Sequence, residues 1–397
     1  MNVLVINAGS SSIKFQLINM PSRELMCNGM IERIGQDNAV LKYKTRTTTF
    51  QRTEKIPTHK EGLKKMVEWL LDPEKGVIKD KNEIEIVGHR VVHGGNSFSA
   101  ISLIDTEVKE QIQAFSALAP LHNPNNLEGI ILAEKLFPAA KQVAVFDTAF
   151  HQTLPEKAKK YAIPASFYKN QNIQVYGFHG TSHKYVSEKA IEYLQLKKSK
   201  MISIHLGSGC SITAVLDGKS IDHSLGFAPS NGLIMGSRSG DIDHSIIFYL
   251  VNDLGYSLDK VNALLTKESG MLGLTGYGDL RDIQREAEKG NKDCLLALEM
   301  NAYRIKKYIG AYIAAMNGLD AIIFTAGIGE NSSLLRKLVC TEMNIFGIYL
   351  DNEKNKANLN DVREINAVNA KVKILVVPTN EELEIAKQAF DLLGEGH

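Results

Sequence analysis

The sequence predicts an α/β chain of two domains related by an internal duplication, and three observations carry that prediction. Val3–Ile18 (VLVINAGSSSIKFQLI) and Met201–Leu216 (MISIHLGSGCSITAVL) read alike: an apolar run, a Gly/Ser-rich turn, then a second apolar run. Their glycines, Gly9 and Gly207, correspond at an offset of half the 397-residue length. Single hydrophobic cores stop growing near about 250–300 residues, so a chain of this size suits two. A strand–turn–strand with small polar turn residues offers backbone N–H groups and hydroxyls to phosphate oxygens. Two such turns facing one another would grip a polyphosphate, which makes a duplicated nucleotide-binding fold the expected class.

The elements follow in order. Val3–Ala8, Ile13–Ile18, Leu25–Ile31 and Ala39–Tyr43 are rich in β-formers and predict a meander. Leu63, Met66, Val67 and Leu70 recur at helical spacing, predicting a helix near 60–71. Ile84–Val92 predicts a strand ending in a His/Gly turn. Asn123-Pro124 has the N-cap-then-proline form of a helix start. The strand Gln142–Phe146 then delivers Asp147 at its carboxyl end. In the second half, Met201–Leu206, Ser211–Leu216 and Ser220–Ser224 form another meander, with Asp217-Gly218 as a hairpin turn. Helices are expected near 243–254, 258–267 and 292–316, a buried strand at Ala321–Thr325, and a glycine turn at Gly327–Gly329. Val372–Val377 is the last strand, and Thr379 with Glu382 predicts a capping box opening the final helix. The expected division is 1–150 and 151–379, with the 380–397 helix free to fold back onto the first domain.

Composition narrows the function classes. Hydrophobic content of 44% with 23% charged residues is that of a globular protein. A net charge of +1 gives no global electrostatic case for nucleic acid or an anionic membrane. Cys27, Cys210, Cys294 and Cys340 are scattered without a CxxC, which suits a reducing cytoplasm and neither a disulfide frame nor a zinc site. The longest apolar tract, Tyr308 to Gly329, is broken by Asn317 and Asp320 and reads as buried core, not as a membrane span.

Familiar nucleotide motifs are weak. Gly218-Lys219-Ser220 has Thr213 where a Walker A loop needs its first glycine, so it reads as a hairpin turn. Gly327-Ile328-Gly329 has Ser332 where a third dinucleotide-fingerprint glycine would stand. The charged residues at strand ends say more. Arg90 in VGHRVVHGG and Arg238 in MGSRSGDID sit beside glycine-rich turns in apolar surroundings, positions that suit bidentate clamping of carboxylate or phosphate. A surface ion pair is the plain alternative for either one alone. His179 and His183 in GFHGTSH lack the glutamate of HExxH, which argues against zinc. Asp241, Asp243, His244 and Glu381 are explained as well by helix capping as by metal binding.

The blocks VLVINAGSSSIKFQL, GHRVVHGG, APLHNPNN, VFDTAFHQTLP, YGFHGTSHKYV, GLIMGSRSGDID, FTAGIGENS and PTNEELEIA stand in the order seen in acetate and propionate kinases, from end to end. The chain resembles a member of that family. The resemblance implies the actin-like, sugar-kinase-like fold with a duplicated ribonuclease-H core. It implies transfer of the ATP γ-phosphoryl group to acetate, giving acetyl phosphate and ADP, with Mg²⁺ (or Mn²⁺) and a homodimer. By motif, Asn7, Ser10, Ser12 and Lys14 resemble the first phosphate and magnesium loop, and His205, Leu206, Gly207, Ser208 and Gly209 the second. Asp279, Leu280 and Arg281, with Gly327, Ile328, Gly329, Glu330 and Asn331, resemble the nucleotide-holding segments. Arg90, Asp147, His179 and Arg238 resemble the catalytic constellation, and Glu381 a magnesium-associated acid alongside Asn7. Val92, Leu121, Phe178 and Pro229 fall where the family lines a pocket for the acetate methyl.

Three segments depart from the family pattern. HLGSGCS replaces the usual HLGNGAS, FAPSNGLIMGSRSGD replaces FTPLEGLMMGTRSGD, and the stretch around Gly276-Tyr277-Gly278 is short. Propionate kinase differs in substrate by one methylene, worth only about 1–3 kcal/mol in an apolar pocket, and is the nearest alternative. A sugar or glycerol kinase would need a base for a neutral hydroxyl. A non-enzymatic nucleotide switch would not need the two arginines, the acid and the histidine together.

Overall fold

The computed structural model describes residues 1–120, 122–357 and 361–394. The chain divides into two compact units. One comprises residues up to Ala149 together with the C-terminal segment from Asn380, and the other runs from Phe150 to Thr379.

The first unit carries an eight-stranded sheet of β1 (Asn2–Ala8), β2 (Ser12–Asn19), β3 (Glu24–Glu32), β4 (Ala39–Thr45), β5 (Thr49–Glu54), β6 (Ile86–Val91), β7 (Ser102–Leu103) and β8 (Lys141–Phe146). Their spatial order is β5-β4-β3-β2-β1-β6-β8-β7. Strands β1 to β5 form the antiparallel meander, whereas β6 pairs parallel with β1 (Val3↔Ile86, Ile6↔His89) and β8 parallel with β6 (Arg90↔Val145). Alternation along β1 sends its side chains to two cores. Leu4 and Ile6 join Phe15, Leu41, Tyr43 and Trp69, while Val3 and Val5 meet Ile385, Ala386 and Ala389 of the last helix, Glu381–Gly394. Full burial of such a Val or Ile is worth about 1.5–3 kcal/mol, so the last helix is held by its apolar stripe. Helix His59–Leu70 covers the first core with Leu63, Met66 and Leu70 and is capped by Thr58, whose Oγ1 accepts from Glu61 N at 3.3 Å.

The second unit repeats the central pattern with β9 (Lys200–Leu206), β10 (Cys210–Leu216), β11 (Lys219–His223), β12 (Ala321–Thr325), β13 (Arg363–Glu364) and β14 (Lys373–Val376), ordered β11-β10-β9-β12-β14-β13. Here the antiparallel meander has three strands, and it is again followed by two parallel strands, β12 on β9 and β14 on β12. The shared order 3-2-1 and then two parallel additions is the duplicated ribonuclease-H-like arrangement. In open sheets of this kind, ligands bind beyond the carboxyl ends of the parallel strands. Arg90, Asp147, Gly207 and Gly327 all lie at or just past such ends.

Several expectations change in detail. Gly327–Gly329 is not a turn but part of a short helix, Ala326–Asn331. The last helix is capped by Asn380, whose Oδ1 accepts from Leu383 N at 3.0 Å. Thr379 is engaged elsewhere, its amide on Glu330 Oε1 (3.0 Å) and its hydroxyl on Ser182 Oγ (3.0 Å). The helix expected near 243–254 is Ser245–Asn252. Asp217-Gly218 does turn the β10–β11 hairpin, with φ of 50° and 77°. Among the described residues no helix is long and apolar enough to cross a membrane.

Gly29 on β3 has no room for a side chain, since a Cβ there would stand 2.2 Å from the Phe15 ring. That ring packs against Tyr43 and Trp69, so it has nowhere to move. Gly29→Ala is expected to destabilise the first unit by about 2 kcal/mol. Urea unfolding followed through Trp69, the only tryptophan, measures this; an unchanged midpoint would mean the ring is not confined.

Candidate functional site

In the first unit, β1 runs into the Gly9–Ser11 turn and returns as β2, placing Asn7 opposite Lys14 in the ladder. Gly9 N donates to Ser12 O at 2.8 Å, and a Cβ on Gly9 would come within 2.9 Å of Ser12 Oγ. His59 Nε2–H donates to Gly9 O at 2.7 Å, fixing the turn from helix His59–Leu70. Ser10 and Lys14 are exposed, and Asn7 and Ser12 are half-buried. Asn126 spans the splayed ends of β1 and β6: its Nδ2 donates to Ala8 O at 2.8 Å and its Oδ1 accepts from Val92 N at 3.2 Å.

Arg90 lies near the end of β6 and Asp147 just past β8, neighbouring strands whose backbones meet again where Asp147 N donates to Val91 O. The side chains form a two-point fork. Arg90 Nε donates to Asp147 Oδ1 at 3.0 Å and Nη2 to Oδ2 at 2.7 Å. Asp147 is 2% exposed and Arg90 20%, and Glu381 Oε2 lies 3.7 Å from Arg90 Nε. Burial works against the guanidinium charge, but Asp147 and Glu381 outweigh it and hold Arg90 above its ordinary value. Burial pushes the Glu381 carboxyl up, Arg90 pulls it down, and Asp147 pushes it up again. Arg90 Nη1 has no partner among the described residues, which leaves it available to another oxyanion. Val92, two residues on, is buried. Leu121 lies outside the described residues.

In the second unit, the turn after β9 is closed by Gly207 N on Gly209 O at 3.0 Å and tied to Gly236, whose N donates to Ser208 O at 3.1 Å. Two predicted side chains converge on Gly209: a Cβ there would stand 2.7 Å from Arg238 Nη2 and 3.3 Å from His179 Nε2. A side chain there would displace the Arg238 guanidinium. Arg238 donates Nη1 to the Pro229 carbonyl. It makes no ion pair among the described residues, and burial lowers its pKa from the ordinary value. His179 sits at φ 56°, its Nδ1 2.8 Å from Ser211 Oγ and its ring stacked on His205 at 4.4 Å. Phe178 is buried, its carbonyl accepting from His151 Nε2 and its amide donating to His223 Nε2.

The second phosphate loop and the two nucleotide-holding segments expected from the sequence line one cleft of about 470 Å³: Gly207 and Ser208, Asp279 to Arg281, and Gly327, Ile328 and Asn331. Asp279 caps helix Leu280–Glu288 and forks Arg281 (3.0 and 2.6 Å), which holds its carboxyl near 2. Leu280 is buried beneath it. Gly329 and Glu330 complete the helix that carries Gly327. The Glu330 carboxyl is raised by burial although it accepts from Thr379 N. Sequence reading missed Cys210, Gln284 and Asn301 in the same cleft. It also missed Ser211 and Asn126, whose roles become legible only once their partners are known. Asp241 is taken up by Gly232 N and Tyr308 Oη, and Asp243 caps Ser245. Among the described residues no group of three or more His, Cys, Asp or Glu could hold a metal.

Burial holds several imidazoles neutral. His89, His93 and His151 fall to about 4 from 6.5, and His183 and His223 lie well below 6.5. Unfolded, these rings take up protons near 6.5; folded, they do so only far lower. Between those values the unfolded state binds more protons, so stability falls as pH drops from about 6.5 towards 4. Each ring contributes roughly 1.4 kcal/mol per pH unit in that window. Urea unfolding at pH 7, 6 and 5 should show a progressive loss; a flat profile would mean the rings are solvated. Asp147→Ala leaves Arg90 with only Glu381, and should cost about 3 kcal/mol of stability in the same assay.

The profile of the Acetokinase family matches residues 2–387. An acetate kinase of Flavobacterium johnsoniae is 62% identical over 393 residues, covering 99% of this chain and 100% of that protein. The crystal structure of Porphyromonas gingivalis acetate kinase superposes with a TM-score of 0.93 at 42% identity, covering 99% of both chains. That of a propionate kinase from Francisella tularensis gives 0.93 at 42%, covering 98% of this chain and 99% of the other.

Proposed function

The chain belongs to the acetokinase family, and from that premise we infer that it catalyses reversible phosphoryl transfer from ATP to acetate, giving acetyl phosphate and ADP. The observation that best supports the chemistry is Arg238: a largely buried guanidinium, without a carboxylate partner among the described residues, at a glycine turn. Such a group is suited to an anionic ligand.

Acetate resembles a Glu side chain, with a pKa of about 4.3, so the nucleophile is already ionised at neutral pH and needs no base. The barrier is electrostatic. Two like charges about 4 Å apart repel by roughly 4 kcal/mol at an effective dielectric near 20. Arg90, oriented by Asp147, is assigned to the acceptor carboxylate and the transferring group, with Val92 beside it for the acyl chain. Arg238 and the Nε2 edge of His179 are assigned to the phosphoryl oxygens, and Lys14 with the Ser10 and Ser12 hydroxyls to the phosphate chain. Transfer is direct and in line. The cleft from Gly207 to Asn331 takes the nucleotide. The Asn7, Ser10, Ser12 and Glu381 oxygens, too few to retain a cation alone, fit Mg²⁺ arriving with the nucleotide, which keeps several waters and phosphate oxygens. Asn7 and Glu381 would hold it, and when bound it neutralises phosphate charge.

The similarity to a propionate kinase keeps the neighbouring acid open as a second reading. Trapping acyl phosphate with hydroxylamine, using ATP and acetate, propionate, butyrate or glycerol in parallel, separates these. Hydroxamate from acetate with the highest kcat/KM is expected; a propionate maximum would support the second reading, and no hydroxamate would refute both. Arg90→Ala and Arg238→Ala should each lower kcat by at least 100-fold with a smaller effect on KM for ATP.

The protein is further assigned to the cytoplasm, in keeping with four buried free thiols, and to a homodimer. Helix Ser245–Asn252 (SIIFYLVN) has no buried residue: Ile246, Phe248 and Tyr249 are all exposed, and so is Leu258 beyond it. A second copy would cover that apolar face. Light scattering should give twice the 43.9 kDa chain mass, and Phe248→Glu should shift it to monomer; a wild-type monomer would refute the assignment.

A further inference from the structure

Arg336, on helix Ser333–Cys340, is 2% exposed and is the largest fully buried side chain among the described residues. All its hydrogen bonds go to neutral oxygens. Nε donates to Asn355 Oδ1 (2.7 Å), Nη2 to Asn355 O (2.7 Å), and Nη1 to both Gly329 O (2.8 Å) and Glu330 O (2.9 Å). Among the described residues it makes no ion pair, and a buried cation without a counter-charge is costly to maintain. Burial, and then Arg363, depress it to about 10, so it stays charged at neutral pH. The carbonyls it holds lie near the carboxyl end of helix Ala326–Asn331, whose Gly327, Ile328 and Asn331 line the nucleotide cleft. A six-residue helix cannot sustain itself, and its last carbonyls lack partners within it. It also begins at Ala326 in a left-handed conformation (φ 64°), which the surroundings must enforce. Asn355 is itself anchored, its Nδ2 donating to Ser333 O at 2.8 Å, so the guanidinium is gripped on one side and grips the cleft helix on the other.

We propose that Arg336 is a positioning residue for the nucleotide: it fixes the Gly327–Asn331 helix in the form that receives a nucleoside triphosphate, and it adds a positive charge that never touches the ligand. The proposal rests on the nucleotide reading of this cleft. Its consequence is selective, because only nucleotide binding passes through that helix.

The test compares wild type with Arg336→Gln and Arg336→Lys, varying ATP and acetate separately, and reads the thermal shift produced by ADP with Mg²⁺. Arg336→Gln should raise KM for ATP at least tenfold and abolish the ADP-induced shift, with KM for acetate within twofold and kcat within threefold. Arg336→Lys, which keeps the charge but not the fork, should fall between. A lowered melting temperature with unchanged KM for ATP and an unchanged ADP shift would overturn the proposal, as would an equal rise in both KM values. Should Arg336→Gln not fold, Asn355→Leu removes the carboxamide anchor alone. A threefold or greater rise in KM for ATP is expected there, and an unchanged value would again overturn it. Absence of hydroxamate from wild type would instead count against the acetate kinase reading, while the ADP shift still reports on Arg336.

Discussion

On the proposed function, the chemistry depends on two guanidinium groups withdrawn from water, one with an acid and one with none among the described residues. Arg90 is forked by a nearly inaccessible Asp147, which sets its plane and leaves Nη1 open. Arg238 is bonded to a backbone carbonyl and lies against Gly209, where a side chain would displace it. The first arrangement gives orientation, since a bidentate pair fixes a plane as well as a distance. The second gives affinity for an anion, since a buried cation gains most from a ligand that supplies the missing charge. A reaction between two anions needs both, because repulsion between them is the barrier and no proton has to move in the attack.

The sheets explain why these residues stand where they do. Each unit places a meander beside parallel strands, and each puts its functional residues at the carboxyl ends of the parallel set. β1 with its Gly9 turn corresponds to β9 with its Gly207 turn, and β6 with Arg90 corresponds to β12 with the Ala326–Asn331 helix. On the proposed function the duplication has diverged in use: the same strand end carries Arg90, assigned to the chemistry, in one unit and the helix assigned to the nucleotide in the other. Buried polar side chains hold these ends open, Asn126 between β1 and β6, and Arg336 beneath the helix after β12.

Much of this was legible in the chain, and the parts that were not have physical reasons. Strands β1, β2, β9 and β10 could be read from apolar runs broken by Gly/Ser turns, and β8 from VAVF. The edge strand β5 (TFQRTE) escaped because its burial is too slight to impose a pattern. Thr379 looks like an N-cap by sequence, yet the tertiary bonds of its amide and hydroxyl leave that role to Asn380. Two glycines in Gly327–Gly329 suggest a turn, but the carbonyl bonds from Arg336, nine residues beyond Gly327, make a helix there. Strand-end arginines were conspicuous by their apolar surroundings. Ser211, Asn126 and Arg336 were not, because each has other polar residues near it in the chain and is singled out only when its partner is placed.

Stereochemistry at phosphorus decides whether transfer is direct and in line between two anions held by arginines. With ATP chirally labelled at the γ-phosphoryl group and acetate as acceptor, inversion of configuration in acetyl phosphate is expected. Retention would require an intermediate carried on the enzyme, for which His179 would be the first residue to question, and would rule out direct transfer.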